Sequence, residues 1–334
     1  MSSKFRTLIM VTMLLAFVVI VLGAYTRLSD AGLGCPDWPG CYGKLLGVPD
    51  TETDIAQANA DFERAVEIGK AWKEMIHRYF AGTLGILIFI ISLLLFRKDH
   101  NGKRHIIFGL VLASLLVFQA VLGMWTVTWQ LKPIAVMGHL LGGFAVFNLL
   151  GWQWLRTLSF SQLENYRLPS GLLSLSVLAI VVLIGQIALG GWVSSNYAAL
   201  ACVDFPTCQQ QWWPPMDFRE AFILWRGLGV DYEFGILEHP ARVAIHVTHR
   251  IGAVITAAII LLFALRLWHC AENSITLRKI SAIILILLAT QVVLGVLNVV
   301  MHLPLANAVL HNAVALILLF SLVSSAYMIK YARA

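Results

Sequence analysis

Long apolar runs without charged side chains constrain this chain more than any other feature. Only 13% of its 334 residues are charged, against roughly 25% in soluble domains, and about 20 helical residues suffice to cross the hydrocarbon core of a bilayer. The uncharged run from Ile280 to Ile329 is divided at Pro304 into two spans, and Ala241 to Leu265 supplies another despite two arginines near its outer end. The remaining uncharged runs cover residues 7–26, 79–96, 106–131, 133–155 and 168–203. The sequence therefore predicts an all-α integral membrane protein with eight transmembrane helices.

Basic residues beside the spans set the orientation, because Lys and Arg concentrate in cytoplasmic loops. They occur at both termini and in the loops that follow the second, fourth and sixth spans: Lys4, Arg6, Arg97, Lys98, Lys103, Arg104, Arg156, Arg167, Arg266, Arg278, Lys279, Lys330 and Arg333. This pattern places both termini in the cytoplasm and explains the net charge of +6, so no nucleic-acid partner is inferred. The first span lacks a cleavage site and no Arg- and Ser-rich leader precedes it, which favours a retained helix in a bacterial inner membrane.

The chain contains an internal repeat. Four groups of residues recur in the same order, the first shifted by 167 positions and the others by 172. Each half contains an even number of helices, so both run in the same direction about an axis along the membrane normal. We therefore predict two pseudo-two-fold-related four-helix bundles, residues 1–167 and 168–334. The matching groups are Leu22-Gly23 through Cys41 with Leu189-Gly190 through Cys208, Glu74-x-x-His77-Arg78 with His246-x-x-His249-Arg250, Gln119-x-x-Leu122-Gly123 with Gln291-x-x-Leu294-Gly295, and His139 with His311.

Four of the five cysteines fall in two outward loops with equal spacing. Cys35 and Cys41 lie in the first loop, and Cys202 and Cys208 lie in the equivalent loop of the second half. Equal pairs on the oxidising side of a membrane favour two local disulfides. A redox-active thiol pair or a metal site would use the same residues, and both alternatives stay open. The fifth cysteine, Cys270, is predicted to be a free thiol in a cytoplasmic loop.

Two pairs of histidines occupy the predicted spans. His77 and His139 are 62 residues apart, as are His249 and His311, and all four lie within roughly two turns of the outer end of a span. Ionisable side chains at bilayer depth are rare and indicate functional sites. Two histidines from different helices at one depth are suited to bind haem iron from both faces, or one metal between helices. A hydrogen bond between helices is the plainer alternative.

The two halves differ one turn before the first histidine of each pair. Glu74 precedes His77, whereas His246 precedes His249, and residues three apart share a helix face. Glu74 is therefore a candidate acid or base beside whatever His77 binds. The alternative is a carboxylate at a helix N-terminus, open to water and favoured by the helix dipole. The asymmetry suggests that one half performs chemistry and the other holds a permanent cofactor.

An arginine follows the first histidine of each pair. Arg78 and Arg250 could neutralise carboxylates of a bound porphyrin, because guanidinium groups bind carboxylates well. Anchoring at the membrane interface is an equally ordinary role for arginine. Both roles stay open for this pair of residues.

The segment Gly23 to Cys41, which contains Gly-Leu-Gly-Cys-Pro-Asp-Trp-Pro, together with Glu74-x-x-His77-Arg78 and the other helix histidines, closely resembles the haem A synthase family. The match extends over nearly the whole chain. The resemblance implies an oxidoreductase that converts a methyl group of haem O, through hydroxymethyl and gem-diol stages, to the formyl group of haem A for terminal oxidases.

The resemblance also implies roles for both histidine pairs. A haem b would be held in the C-terminal half by His249 and His311. Haem O would bind between His77 and His139 in the N-terminal half, with Glu74 acting in catalysis. The lipid bilayer surrounds the protein; haem O synthase, oxidase assembly factors and a second copy of the chain are candidate partners, and the electron donor or acceptor stays open.

Two other functions would use the same histidines. A di-haem quinol oxidoreductase or electron-transfer cytochrome b would hold two permanent haems and form no formyl product. A haem transporter or chaperone would release haem unmodified. A haem-modifying prenyltransferase is disfavoured, since the inward loops contain no pair of Asp-rich magnesium motifs.

Overall fold

The computed structural model describes residues 3–97, 104–160, 163, 166, 168–272 and 274–333. Eight helices in these ranges are long and apolar enough to cross a membrane, and the two short helices lie in the loops at the cysteine-bearing end of the spans, which are called the outer loops. Strand-like pairing in the described residues is limited to isolated bridges between Cys41 and Lys44 and between Cys208 and Gln211. These findings confirm the prediction of an all-α, multi-pass membrane protein. The helices are α1 (Ser3–Leu28), α2 (Glu52–Asp61), α3 (Ile68–Leu95), α4 (Ile106–Thr128), α5 (Pro133–Leu155), α6 (Ser170–Ser195), α7 (Phe218–Ala221), α8 (His239–Cys270), α9 (Ile275–Val300) and α10 (Leu305–Arg333).

Local sequence signals explain where several helices begin. Thr51 precedes α2 and its hydroxyl accepts the Asp54 N–H, and Ser274 caps α9 in the same way through the Leu277 N–H. Helices α5 and α8 carry proline in the first turn, where the missing N–H costs no hydrogen bond. Three of the basic residues that predict the orientation, Lys98, Lys103 and Arg167, lie outside the described residues.

The spans pack in two sets with the same order of neighbours. In the first set α1 contacts α3 and α5, and α4 contacts the same two helices; in the second set α6 contacts α8 and α10, and α9 contacts the same two helices. The sets meet where α1 packs on α10 and where α5 packs on α6 and α10. Large apolar side chains point outward, including Ile86, Val117 and Val254, as expected for helices surrounded by lipid.

Backbone geometry recurs at the positions that the sequence repeat pairs. Two residues after the first span of each set, the backbone is in the left-handed conformation, with Asp30 at φ 51° and Tyr197 at φ 52°. The turn from α4 to α5 uses Gln130 at φ 47°. The turn from α9 to α10 uses His302 at φ 57°. The outer ends of corresponding helices are therefore connected by similar turns.

Candidate functional site

The four predicted histidines lie on four different spans. His77 is on α3, His139 on α5, His249 on α8 and His311 on α10, and each side chain is partly exposed. The helices that carry His77 and His139, α3 and α5, both pack against α1, and those that carry His249 and His311, α8 and α10, both pack against α6. The fold therefore brings together the two histidines of each half.

Ring nitrogens in both pairs are left without a partner. The Nδ1 atoms of His77, His139 and His311 are buried and make no hydrogen bond. A buried polar atom without a partner costs free energy, so its persistence indicates a group that binds something else. Paired neutral imidazoles are common ligands of haem iron, and the donor set of each half fits such a group.

Glutamine side chains distinguish the second pair from the first. The Nε2 atom of Gln186 lies 3.0 Å from Nδ1 of His249 and donates to the His249 carbonyl at 2.9 Å. The Nε2 atom of Gln291 lies 3.2 Å from Nε2 of His311. In the first half the corresponding amide nitrogen of Gln119 makes no hydrogen bond. The sequence repeat contains Gln119 and Gln291, but sequence reasoning did not connect either with a histidine.

Glu74 is buried, with 5% of its surface exposed. Its Oε1 atom lies 2.5 Å from Nη2 of Arg78, one turn further along α3. Its Oε2 atom accepts a hydrogen bond from the Cys35 N–H at 2.9 Å. The carboxylate therefore joins the helix that carries His77 to the first cysteine loop, and it is not the water-exposed group of the alternative interpretation.

The counterpart of Glu74 makes a different contact with its loop. His246 is also buried, and its Nδ1 atom lies 2.9 Å from the Ala198 carbonyl oxygen. The carboxylate therefore accepts from a loop N–H, whereas the imidazole meets a loop carbonyl. Both side chains hold an outer loop against a histidine-bearing helix.

Both arginines bind backbone carbonyls of the cysteine loops. Arg78 Nη1 donates to the carbonyls of Gly40 at 2.5 Å and Asp37 at 3.0 Å. Arg250 donates to those of Thr207 at 2.8 Å and Asp204 at 2.9 Å. The guanidinium groups therefore connect α3 and α8 to the two cysteine loops. A contact between either arginine and porphyrin carboxylates stays a prediction.

Each cysteine pair forms a disulfide inside a small folded loop. The S–S distances are 2.03 Å for Cys35–Cys41 and 2.00 Å for Cys202–Cys208, which confirms the favoured interpretation of the spacing. Cys270 is free, as predicted, but it is the last residue of α8 and does not lie in a loop, because the helix continues to that position.

An aspartate in each cysteine loop accepts two backbone N–H groups. In the first loop Asp37 binds the N–H of Tyr42 and of Gly43. In the second loop Asp204 binds the N–H of Gln209 and of Gln210. The hydrogen bond from Thr207, aided by these N–H groups, lowers the pKa of Asp204 below its ordinary value.

A segment of the second outer loop covers the outer end of the first set of spans. Lys132, in the α4–α5 turn, is 1% exposed. Its ammonium donates to the Gly227 carbonyl and lies 3.6 Å from the Trp225 ring centre. The Tyr232 N–H donates to the Gln130 carbonyl at 3.0 Å. The sequence carries no periodic signal for this crossing segment, residues 225–234.

The same segment forms ion pairs with the first outer loop. Arg64 contacts Asp231 at 3.2 Å and also Glu233. The two halves are therefore joined at their outer ends by polar contacts as well as by helix packing.

Comparisons with known proteins agree with this architecture. The family model COX15-CtaA, described as cytochrome oxidase assembly protein, matches residues 6–323. A haem A synthase of Shewanella oneidensis is 46% identical over 321 residues, which is 96% of this chain and 95% of the relative. Haem A synthases of Agrobacterium fabrum and an Exiguobacterium species are 26% and 28% identical, over 94% and 59% of this chain and 87% and 60% of those relatives.

Proposed function

The chain belongs to the COX15-CtaA family of cytochrome oxidase assembly proteins. We propose that it is a haem A synthase in which one half binds the substrate haem and the other half holds a resident haem. The activity is that of an oxidoreductase that converts the methyl group of haem O into the formyl group of haem A. Haem O is the substrate and haem A the product, and the enzyme works in a lipid environment.

The N-terminal bundle, residues 1–167, receives haem O between His77 and His139. The C-terminal bundle, residues 168–334, holds a resident haem b between His249 and His311. The observation that carries this proposal is that the two histidines of each half lie on helices packed against one shared helix, with Nδ1 of His77, His139 and His311 buried and without a hydrogen-bond partner. Bound haem supplies the redox chemistry, while the protein binds, orients and shields it.

The glutamine contacts support unequal roles for the two pairs. A hydrogen bond at the ring nitrogen that does not bind the metal fixes the orientation of a metal-bound histidine. Gln186 lies 3.0 Å from Nδ1 of His249 and Gln291 lies 3.2 Å from Nε2 of His311, so each ring keeps one nitrogen for iron, which suits a haem that stays bound. Nδ1 of His77, Nδ1 of His139 and the amide nitrogen of Gln119 make no hydrogen bond, which suits a haem that binds and leaves.

Glu74 is the proposed proton-transfer group of the N-terminal site. It lies one turn from His77 on α3, so the two side chains share a face of the helix. Arg78 and the Cys35 N–H orient both carboxylate oxygens. His246 in the equivalent position cannot act as a carboxylate, which restricts this role to the first half. Arg78 and Arg250 act on the haem sites by holding the disulfide loops above them.

The protein is proposed to lie in a bacterial inner membrane with both termini in the cytoplasm and the disulfide loops in the periplasm. The distribution of Lys and Arg supports this orientation. Both disulfides lie at the same end of the spans, and disulfides persist in the oxidising periplasm. Haem O synthase, which makes the substrate, and oxidase assembly factors, which receive the product, are the proposed partners.

The test is expression of the full chain with a source of haem O, followed by extraction and mass analysis of all haems. We expect haem A from the native chain. His249→Ala and His311→Ala should remove the low-spin haem b spectrum from purified protein. His77→Ala and His139→Ala should retain that spectrum and form no haem A.

Two results would contradict the proposal. An unchanged spectrum after His249→Ala would refute ligation by the C-terminal pair. Two bound b haems with no formyl product would instead favour an electron-transfer cytochrome.

A further inference from the structure

Each of the four histidine rings packs against a glycine of a neighbouring helix in the same half. A Cβ atom added to Gly23 of α1 would lie 2.9 Å from Cε1 of His77. The other three glycines come equally close to their histidines. The corresponding Cε1 distances are 3.3 Å for Gly123 and His139, 3.2 Å for Gly190 and His249, and 3.2 Å for Gly295 and His311.

An added Cβ would force a shift at Gly23 and would be unusually tight at the other three glycines. Observed Cβ contacts essentially never fall below 3.0 Å and seldom below 3.4 Å, so an alanine would push the ring or separate the helices. The other span glycines vary: Gly82 in α3 and Gly185 in α6 have nothing within 4 Å of an added Cβ, whereas Gly151 packs tightly against Phe320 and Gly252 against Gln186. Among the described glycines, the four beside the histidines are those whose nearest atoms belong to an imidazole ring.

Packing against a glycine is the restraint that all four rings share. Hydrogen bonds usually help to orient metal-bound histidines, but Nδ1 of His77 and of His139 makes none, whereas Gln291 contacts Nε2 of His311. The same ring edge, that of Cε1, meets the glycine in all four cases. The contact therefore restricts rotation of each ring about its Cβ–Cγ bond.

We propose that the four glycines are positioning residues that set the rotation of the iron-binding histidines. The proposal rests on the proposed function, because it takes the histidines to be iron ligands. The pairs are Gly23 for His77, Gly123 for His139, Gly190 for His249 and Gly295 for His311.

A role in helix packing alone makes a different prediction. Small residues let membrane helices approach closely, so loss of such a residue lowers stability without changing the bound haem. A positioning residue changes the ligand field of the iron that its histidine binds. The haem spectrum and reduction potential therefore separate the two roles.

The experiment uses the full-length chain purified with its haem b. Gly190→Ala should lower haem b affinity by about 10-fold, the lower limit for disturbing groups that orient a metal ligand. In the haem that remains, the reduction potential and low-spin spectrum should shift. Gly190→Val should act more strongly than Gly190→Ala. Gly185→Ala, five residues away on the same helix, is the matched control and should change neither property.

The N-terminal pair provides an independent readout. Gly23→Ala and Gly123→Ala should leave the haem b spectrum intact and reduce haem O binding and haem A formation. Gly82→Ala, on the helix that carries His77, is the control for these variants. Retention of haem b shows that the variant chains are folded.

An unaltered haem content, spectrum and potential in Gly190→Ala would overturn the proposal. If that variant does not accumulate, the same measurements on Gly295→Ala decide the question. His249→Ala distinguishes a failure of the glycine positioning role from a failure of the proposed function. Loss of haem b in His249→Ala but not in Gly190→Ala would refute the positioning role alone, whereas retention in His249→Ala would refute the proposed function itself.

Discussion

The backbone N–H of Cys35 donates a hydrogen bond to Oε2 of Glu74 at 2.9 Å. This bond joins a disulfide-linked residue of the first outer loop to the proposed proton-transfer group. The loop is held a second time, because Arg78 binds Glu74 and the carbonyls of Asp37 and Gly40. The geometry of the loop and that of the carboxylate therefore depend on each other.

Substitution of Glu74 should abolish haem A formation and leave haem b bound. Glu74→Gln retains an acceptor for the Cys35 N–H, whereas Glu74→Ala leaves that N–H without its acceptor and Arg78 without its carboxylate partner. Breaking a buried ion pair from one side costs roughly 3–5 kcal/mol, so the alanine variant should also unfold at lower temperature. Haem extraction and thermal unfolding measure the two effects.

Glu67→Gln is the control for the Glu74 variants. Glu67 pairs with Lys70 at the start of the same helix, and its side chain is 61% exposed. This variant should form haem A at the native rate. Normal haem A levels in Glu74→Gln would remove Glu74 from the catalytic step.

Thiol labelling should detect one free cysteine in the unfolded, non-reduced protein and five after reduction. The reason is that Cys35–Cys41 and Cys202–Cys208 are disulfides and Cys270 is free. Replacing both cysteines of a pair by serine should destabilise its loop by about 2–4 kcal/mol. Five reactive thiols in protein from native membranes would contradict the disulfide assignment.

The second disulfide loop should loosen in acid. Because the folded-state pKa of Asp204 is lowered by hydrogen bonding to Thr207 and the loop N–H groups, the carboxylate stabilises the loop above its ordinary pKa. That contribution is lost as the pH falls through the lowered pKa. Thr207→Val removes one donor, so its loop should open at a higher pH, as measured by proteolysis across a pH series.

Asp204→Asn is the control for the acid-induced opening. This variant has no carboxylate to titrate, so the opening of its loop should no longer follow pH in the acid range. An opening profile identical to that of the native chain would show that another group is responsible.

Lys132→Met should release the segment that crosses between the two halves. The substitution keeps most of the apolar stem but removes the charged donor to the Gly227 carbonyl and the cation above the Trp225 ring. Loss of a hydrogen bond from a charged group costs about 1.5–3 kcal/mol. Limited proteolysis should therefore cut residues 225–234 faster than in the native chain.

Lys44→Met is the matched control for Lys132→Met. Lys44 pairs with Asp54 within the first loop, and both side chains are about one-third exposed; exposed pairs of this kind contribute little. Equal cleavage of the crossing segment in both variants would show that Lys132 does not hold it.

Much of the site could be predicted from local patterns. Apolar runs predicted all eight spans, and the equal Cys-x5-Cys spacing favoured the two disulfides that the structure contains. The repeat identified the two histidine pairs because each residue recurs at a constant shift. These features depend on residues close together in the sequence or on matching positions in two copies.

The contacts of Glu74, Arg78 and Lys132 could not be predicted in the same way. The sequence indicated that Glu74 shares a face with His77, but not that the Cys35 N–H and Arg78 would occupy both carboxylate oxygens. A porphyrin carboxylate was one predicted partner for Arg78, and loop carbonyls are what the fold brings within reach. Lys132 meets a loop almost a hundred residues away, which no local pattern encodes.

The sequence by itself determined the membrane class, the number of spans, the cysteine pairs and the identity of the paired histidines. Hydropathy, spacing and repetition can be read from the order of the residues, so they do not depend on how the helices pack. Only the tertiary structure decided that each histidine ring packs against a glycine of another helix and that the side-chain amides of Gln186 and Gln291 contact the second pair. Such contacts depend on how helices pack in three dimensions, and close packing joins residues whose distance along the chain carries no signal.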